Sequence, residues 1–268
     1  MTARHPALVR LESYLGSRYS PHTIRDTLGQ AGAFIAQSKG VGREYLIGYM
    51  DGLVSRGLKP RSIITIMSRL RALYHANGWS WPLLPRDMHL GLPDAGPGGP
   101  ALSPDEIRQL ILGAKGGGRL DVVAMALSTT WGFRPAEMAT ILSSGLDGRA
   151  ISVQTSKLGR RREHTIPVVL ASALTFRGRE RTTDGLHKAF ERLMCAHVRD
   201  TRTGEGWHSV RRSLVTGLLE AGLREAALHK WMGWQYKGQD IVDRYYRPDP
   251  AKLDAEVYAL HPFLPFWA

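Results

Sequence analysis

The run DRYYRP near the end of the chain sets two phenol hydroxyls, Tyr245 and Tyr246, side by side in a basic stretch closed by proline. A phenol oxygen is a useful nucleophile at neutral pH only when a neighbouring base takes its proton and fixed cations meet the charge that develops. Groups able to do both lie upstream. In GFRPAE, Arg134 and Glu137 stand three residues apart at a predicted helix start, the spacing of an ion pair. Lys157 falls in a predicted hairpin turn ahead of Arg160, Arg161 and Arg162. A lysine there can reach into a groove as a point-charge acid while the arginines hold phosphates. In WHSVRRSLVT, His208 and Arg211 share a helix face near its N-terminus, with Arg212 beside them. The guanidinium fork and the free backbone N–H groups of such a helix start form an anion site. Trp234, following the glycine of MGW, offers one N–H donor on a large apolar plate. Taken singly, each feature also has an ordinary structural reading: a surface ion pair, a solvated turn, a satisfied histidine beside an exposed arginine, a packing indole.

These residues need elements to carry them. The first ninety residues read as a helical bundle. YSPHTIRDTLGQAGAFIAQSKG opens with Ser20 as N-cap and Pro21 at the first helical position, and Ile24, Leu28, Ala31 and Ile35 recur at helical spacing. In KPRSIITIMSRLRALYHANGW, Ile63, Ile66, Met67, Leu70 and Tyr74 make one apolar stripe with Arg61, Arg69 and Arg71 off it, a solvated face or a phosphate-contacting one. REYLIGYMDGLVSRG predicts a third helix between them. Prolines and glycines then crowd WPLLPRDMHLGLPDAGPGGPALSPDE, which cannot continue a helix. The expected organisation is a helical domain over 1–92, a linker over 93–102 and a second, mostly helical domain over 103–268. The second domain restarts with Ser103, Pro104 and Glu106 in a capping-box pattern. Its strand signal is RAISVQTSKLGRRREHTIPVV, where Ile151 and Val153, then Ile166 and Val168, alternate on either side of a basic turn.

Composition narrows the partner. Among 268 residues, 36 Lys and Arg face 24 Asp and Glu, for a net charge of +12, which favours a polyanion. Residues 1–92 carry 12 basic and 5 acidic side chains and the remainder 24 and 19, so both portions are positive, as suits a protein gripping DNA from two sides. No apolar run approaches the roughly 18 to 20 residues needed to span a bilayer, and the N-terminus lacks an apolar signal region. The expected location is the cytoplasm, with the DNA or nucleoid, or the nucleus in a eukaryotic host. The sole cysteine, Cys195, excludes an internal disulfide, and no CxxC or HxxxH spacing suggests a metal. No metal or other cofactor is expected.

In their joint order, Arg-x-x-Glu, hairpin Lys, His-x-x-Arg, Gly-Trp and Tyr resemble the catalytic pattern of the tyrosine recombinase (phage integrase) family over nearly the whole chain. The resemblance implies a mainly α fold with a small β-hairpin or sheet: a helical core-binding domain followed by a tyrosine-recombinase catalytic domain. It implies a site-specific recombinase that cleaves and rejoins double-stranded DNA through a 3′-phosphotyrosine, without metal or ATP. Arg134 and Arg211 would hold the phosphate, His208 accept a proton, Lys157 protonate the leaving 5′-oxygen, Trp234 bond a phosphate oxygen, and Glu137 orient the surrounding groups. The segment IVDRY puts Tyr245 in the nucleophile slot. Adjacent helical residues point about 100° apart, so only one of the two hydroxyls faces the site. Arg61, Arg69, Arg71, Arg160, Arg161, Arg162 and Arg212 would meet DNA. The sequence departs from the family in carrying Trp234 where many members have His, and Arg212 where His is frequent. The apolar tail (Val257, Leu260, Phe263, Leu264, Phe266, Trp267) could dock on the chain's own core or on a neighbouring subunit; the resemblance further implies a monomer that assembles as a homo-tetramer on DNA, and favours docking on the neighbour. A catalytically inactive DNA-binding or architectural protein and a type IB-like topoisomerase are the competing readings.

Overall fold

In the computed structural model, which describes residues 5–16, 18–88, 99–155, 161–234 and 246–268, six α-helices begin on a proline. Proline suits that position because its ring presets a helical φ and its missing N–H would have had no intrahelical partner. Contacts divide the chain into two units, Met1–Gly96 and Pro97–Ala268.

The first unit holds helices α1 (Pro6–Gly16), α2 (Pro21–Gln37), α3 (Arg43–Ser55) and α4 (Pro60–Ala76). Ser20 caps α2, its Oγ accepting from the Thr23 N–H at 3.3 Å. The predicted stripe of α4 is buried throughout. On α2 the inward face is rotated from the predicted one: Thr27, Ala31 and Phe34 are buried, while Ile24, Leu28 and Ile35 flank them. Phe34 sits at the centre because its ring meets Tyr49 edge-on and lies close to Tyr74, an aromatic cluster that side-chain spacing alone does not reveal.

The second unit contains α5 (Pro104–Lys115), α6 (Arg119–Trp131), α7 (Pro135–Ser144), α8 (Thr183–His197), α9 (Trp207–Glu220), α10 (Glu225–Trp231) and α11 (Pro250–Ala259), with strands β1 (Gly145–Asp147), β2 (Ala150–Gln154), β3 (Arg161–Thr165) and β4 (Thr175–Arg177). The capping box at α5 forms as expected, Ser103 Oγ accepting from the Glu106 N–H and Glu106 from the Ser103 N–H. Helix α6 is buried along nearly its whole length and forms the axis of the unit. Strands β2 and β3 pair antiparallel, with Ala150 opposite Thr165 and Gln154 opposite Arg161.

The second strand of that hairpin departs from expectation. Ile151 and Val153 point inward, but on β3 the inward positions belong to Arg162 and His164. Ile166 is buried just beyond the strand, and Val168 stands in solvent. A second pair, β1 with β4, carries no sequence signal because each strand has three residues. It forms where Gly145, at φ +81°, brings two backbones together: a Cβ there would lie 2.6 Å from the Gly178 nitrogen.

The tail corrects the expectation of docking on a neighbour. Val257, Phe263 and Trp267 are buried in this chain's own core. The indole of Trp267 donates to Thr129 Oγ1 at 3.2 Å, and Lys115 Nζ donates to the carbonyls of Phe266 and Ala268. Phe263→Ala is therefore expected to cost about 3–5 kcal/mol of stability. Because the contact is intramolecular, the urea midpoint measured for wild type and variant should not vary with protein concentration.

Candidate active site

The site is assembled around the C-terminal end of α6. A helix leaves its last carbonyls without intrahelical donors, and buried ones must be met by other groups. Here the donors are side chains. His261 Nε2 bonds the Thr130 carbonyl at 3.0 Å, Arg162 Nη2 donates to the Trp131 carbonyl at 2.9 Å, and Arg211 Nη1 donates to the Gly132 carbonyl. Gly132 ends the helix at φ +60°, and a Cβ there would sit 3.2 Å from the Arg211 side chain. A glycine is thus required both for the left-handed turn and for the close approach of Arg211.

Arg134, two residues on, is the N-cap of α7. Its backbone N–H donates to Glu137 Oε2 at 2.9 Å and its Nη1 to Oε1 at 2.8 Å. Glu137 is buried while the Arg134 side chain keeps partial access to solvent. One carboxylate therefore fixes both the main chain and the fork of Arg134.

Helix α9 delivers the other half. Trp207 is buried and its indole donates to the Leu186 carbonyl at 2.7 Å, pinning the start of the helix. His208 and Arg211, three residues apart, then face one side. Arg211 is only 6% exposed, its guanidinium carbon lies 5.5 Å from the centre of the Trp234 ring, and its buried Nη2 has no hydrogen-bond partner among the described residues. Burial first, then the charges of Arg162 and Arg134, push the Arg211 pKa down, and Glu137 opposes this. Burial and then Arg211, Arg134 and Arg212 also hold His208 below the ordinary histidine value. Its imidazole is neutral at neutral pH and can accept a proton.

Arg134, His208, Arg211, Arg212 and Trp234 line one open cleft of about 930 Å³, floored by Gly99, Pro100 and Ala101. Arg212 Nη1 donates to the Pro100 carbonyl at 3.3 Å at its rim. Lys157, Arg160 and Tyr245 lie outside the described residues. Tyr246 is described, and its hydroxyl lies 3.4 Å from Arg224 Nη2, which also pairs with Glu256. Its ring lines a separate hollow of about 260 Å³ that shares Trp234 with the cleft.

The expected DNA contacts divide by placement. Arg61 and Arg71 are exposed on α4, whereas Arg69 Nη2 pairs with Asp26 at 3.0 Å. Arg161 is exposed beside Glu163 and Ser152. Arg162 is buried, 3% exposed, with its guanidinium carbon 4.5 Å from the centre of the Phe133 ring. The inward alternation of β3 denies it the surface place that a phosphate contact needs.

Two residues of consequence escape the motif reading. His164 and Asp254 are both buried and bonded to each other, Nδ1 to Oδ1, at 2.8 Å. The available signal was the alternation of β3, which puts polar side chains at 162 and 164 on a core-facing side.

No family model matches the chain, and no curated protein matches it in sequence. Solved structures do match in shape. The Tn1549 transposon integrase (residues 82–397, in complex with transposon right end DNA) aligns with a TM-score of 0.63 at 15% identity, covering 94% of this chain and 98% of that one. A lambda integrase (75–356) dimer bound to a COC′ core site aligns with a TM-score of 0.63 at 17% identity, covering 91% and 95%. The fold is that of these integrases. At such identities the likeness concerns the fold, and the chemistry rests on the side chains of the cleft.

Burial also predicts an acid response. His164 and His261 are both held neutral with pKa values near 4, chiefly by burial. The unfolded chain binds a proton at each near pH 6.5, so their stabilising effect is complete above about 6.5 and is lost as the pH falls toward about 4. The loss should reach ~1.4 kcal/mol per pH unit for each histidine, measured by urea unfolding across that interval.

Proposed function

We propose that this protein is a site-specific DNA recombinase that cuts and rejoins DNA through a covalent 3′-phosphotyrosine on Tyr245. What carries the reading is Arg211: a buried guanidinium, oriented by the Gly132 carbonyl and by Trp234, on a side chain that lines a cleft shared with Arg134 and His208 and whose Nη2 has no hydrogen-bond partner among the described residues. A tetrahedral phosphate with two non-bridging oxygens is the ligand such a pair of forks fits.

Tyr245 attacks the scissile phosphorus in line. The Tyr Oη–P bond forms, the P–O5′ bond breaks, and a 5′-hydroxyl leaves. Charge developing on the non-bridging oxygens meets Arg134 and Arg211, already oriented, so little reorganisation is needed at the transition state. Neutral His208 takes the phenol proton, and Lys157 supplies a proton to the leaving 5′-oxygen. Trp234 offers its indole N–H to a phosphate oxygen. Attack by the 5′-hydroxyl of another strand reverses the chemistry and completes exchange, with the bond energy kept in the phosphotyrosine. In this reading the helical unit Met1–Gly96 closes on DNA with Arg61 and Arg71, and four copies act together.

Tyr245 is preferred over Tyr246 because the Tyr246 hydroxyl is engaged by Arg224, away from the cleft lining. Tyr245→Phe should abolish the SDS-stable protein–DNA adduct while DNA binding persists, and Tyr246→Phe should leave the adduct in place. Arg134→Ala and Arg211→Ala should each lower single-turnover cleavage by about two to three orders of magnitude, the usual loss for one preorganised charge donor. Peptide mapping of adducts formed on fragmented DNA from the protein's own source checks the tyrosines, and quenched single-turnover cleavage checks the arginines. Tight DNA binding with no adduct would assign the chain to DNA binding alone, and plasmid relaxation without strand exchange to a topoisomerase.

A further inference from the structure

Behind the cleft, three buried side chains run in a line from the tail to the end of α6. Asp254, on α11, accepts from His164 Nδ1 at 2.8 Å, Thr165 N at 2.6 Å, Thr165 Oγ1 at 3.0 Å and Trp231 Nε1 at 2.9 Å. Four donors converge on one carboxyl group, so both of its oxygens act as acceptors. With Nδ1–H given to Asp254, the tautomer assigned to His164 leaves Nε2 free to accept, and Arg162 Nε lies 3.2 Å from it. Arg162 in turn donates to the Trp131 carbonyl and lies against the Phe133 ring. It therefore grips residues 131 and 133 on either side of Gly132, whose carbonyl takes Arg211, and next to Arg134. Tyr258, one turn after Asp254, adds a second tie by accepting from Trp131 Nε1 at 2.9 Å and donating to the Thr165 carbonyl at 2.6 Å.

We propose that Asp254, His164 and Arg162 form a positioning relay through which the seating of α11 sets the geometry of the Arg134–Arg211 pair. The inference rests on the reading of that pair as a phosphate site. An apolar side chain of similar size would fill the place of Arg162 at less cost than a buried guanidinium whose Nη1 has no partner among the described residues. A charge there is intelligible because it holds the 131–134 turn by directional bonds and adds positive potential behind the cleft. The helix that follows Tyr245 thereby becomes part of the phosphate site: a chain whose α11 is unseated loses the acceptor that orients His164, and with it the fork of Arg162.

The test compares the full chain with its His164→Leu and His164→Gln variants. Tungstate, a tetrahedral oxyanion, is titrated while the arginine Nε–Hε NMR signals are followed, and adduct formation and DNA affinity are measured alongside. His164→Leu removes the acceptor for Arg162 Nε and should weaken tungstate binding about tenfold, slow adduct formation at least as much, and leave DNA affinity unchanged. His164→Gln, whose amide oxygen can accept from Arg162, should restore both, which a purely structural role would not require. Adding Asp254→Asn to His164→Leu should change tungstate affinity little further, since both act on one chain of bonds. If His164→Leu does not fold, Arg162→Lys, which keeps the charge and loses the fork, should show the same weakened tungstate binding.

A folded His164→Leu protein with wild-type tungstate affinity overturns the relay, as does a loss that His164→Gln fails to restore. Wild type that binds tungstate but forms no adduct on any DNA defeats the recombinase reading, while the variants still decide the relay. Wild type that binds no tungstate brings down both.

Discussion

Three consecutive carbonyls at the end of α6 organise the second unit. Thr130, Trp131 and Gly132 turn their oxygens into the protein interior, where water cannot reach them, and each is met by a side chain from a different part of the sequence: His261, Arg162 and Arg211. A helix C-terminus carries partial negative charge, so cationic donors are favoured there. That local requirement draws together β3, α9 and the tail, and it fixes the Arg211 guanidinium at the cleft.

The arrangement leaves charge uncompensated. Arg134, Arg162 and Arg211 influence one another electrostatically, opposed by Glu137 and, at Arg162, also by Asp254. Mutual repulsion and desolvation disfavour such a cluster, and carbonyls and aromatic faces offset only part of this. What remains is an interior positive potential opening on a cleft. In the proposed reading, an incoming anionic oxygen group relieves the repulsion, so the free energy that the fold sacrifices in holding the arginines becomes affinity for phosphate. Preorganisation follows from the same packing: Arg211 cannot swing away without giving up the Gly132 carbonyl and its place against Trp234.

The tail is part of this construction. Asp254 is a buried carboxylate fully occupied by donors, and Trp267 and Phe263 complete the core against α6. Docking within the same chain means that the site's rear wall exists in a single copy of the protein. In the solved integrase structures that share this fold, two copies of the lambda protein sit on a core site.

Much of this was legible from the amino-acid sequence. Proline after a capping residue marked the helix starts, the 3.6-residue apolar period marked the inner face of α4, and Arg134, Glu137, His208 and Arg211 could be singled out because their spacing within single helices obliges each pair to meet. Helix geometry also implied that only one of the two adjacent tyrosines can face the site, and the family resemblance pointed to Tyr245. Tertiary structure decided what local spacing cannot encode. Which side of β3 faces inward depends on what packs against it, so Arg162 turned from an expected surface cation into a buried clamp. His164 and Asp254, ninety residues apart, form a pair only because the tail folds back over the hairpin. Short-range patterns carry information about neighbours in the chain. Burial, which makes an unpartnered nitrogen on Arg211 costly and therefore useful, is a property of the whole fold.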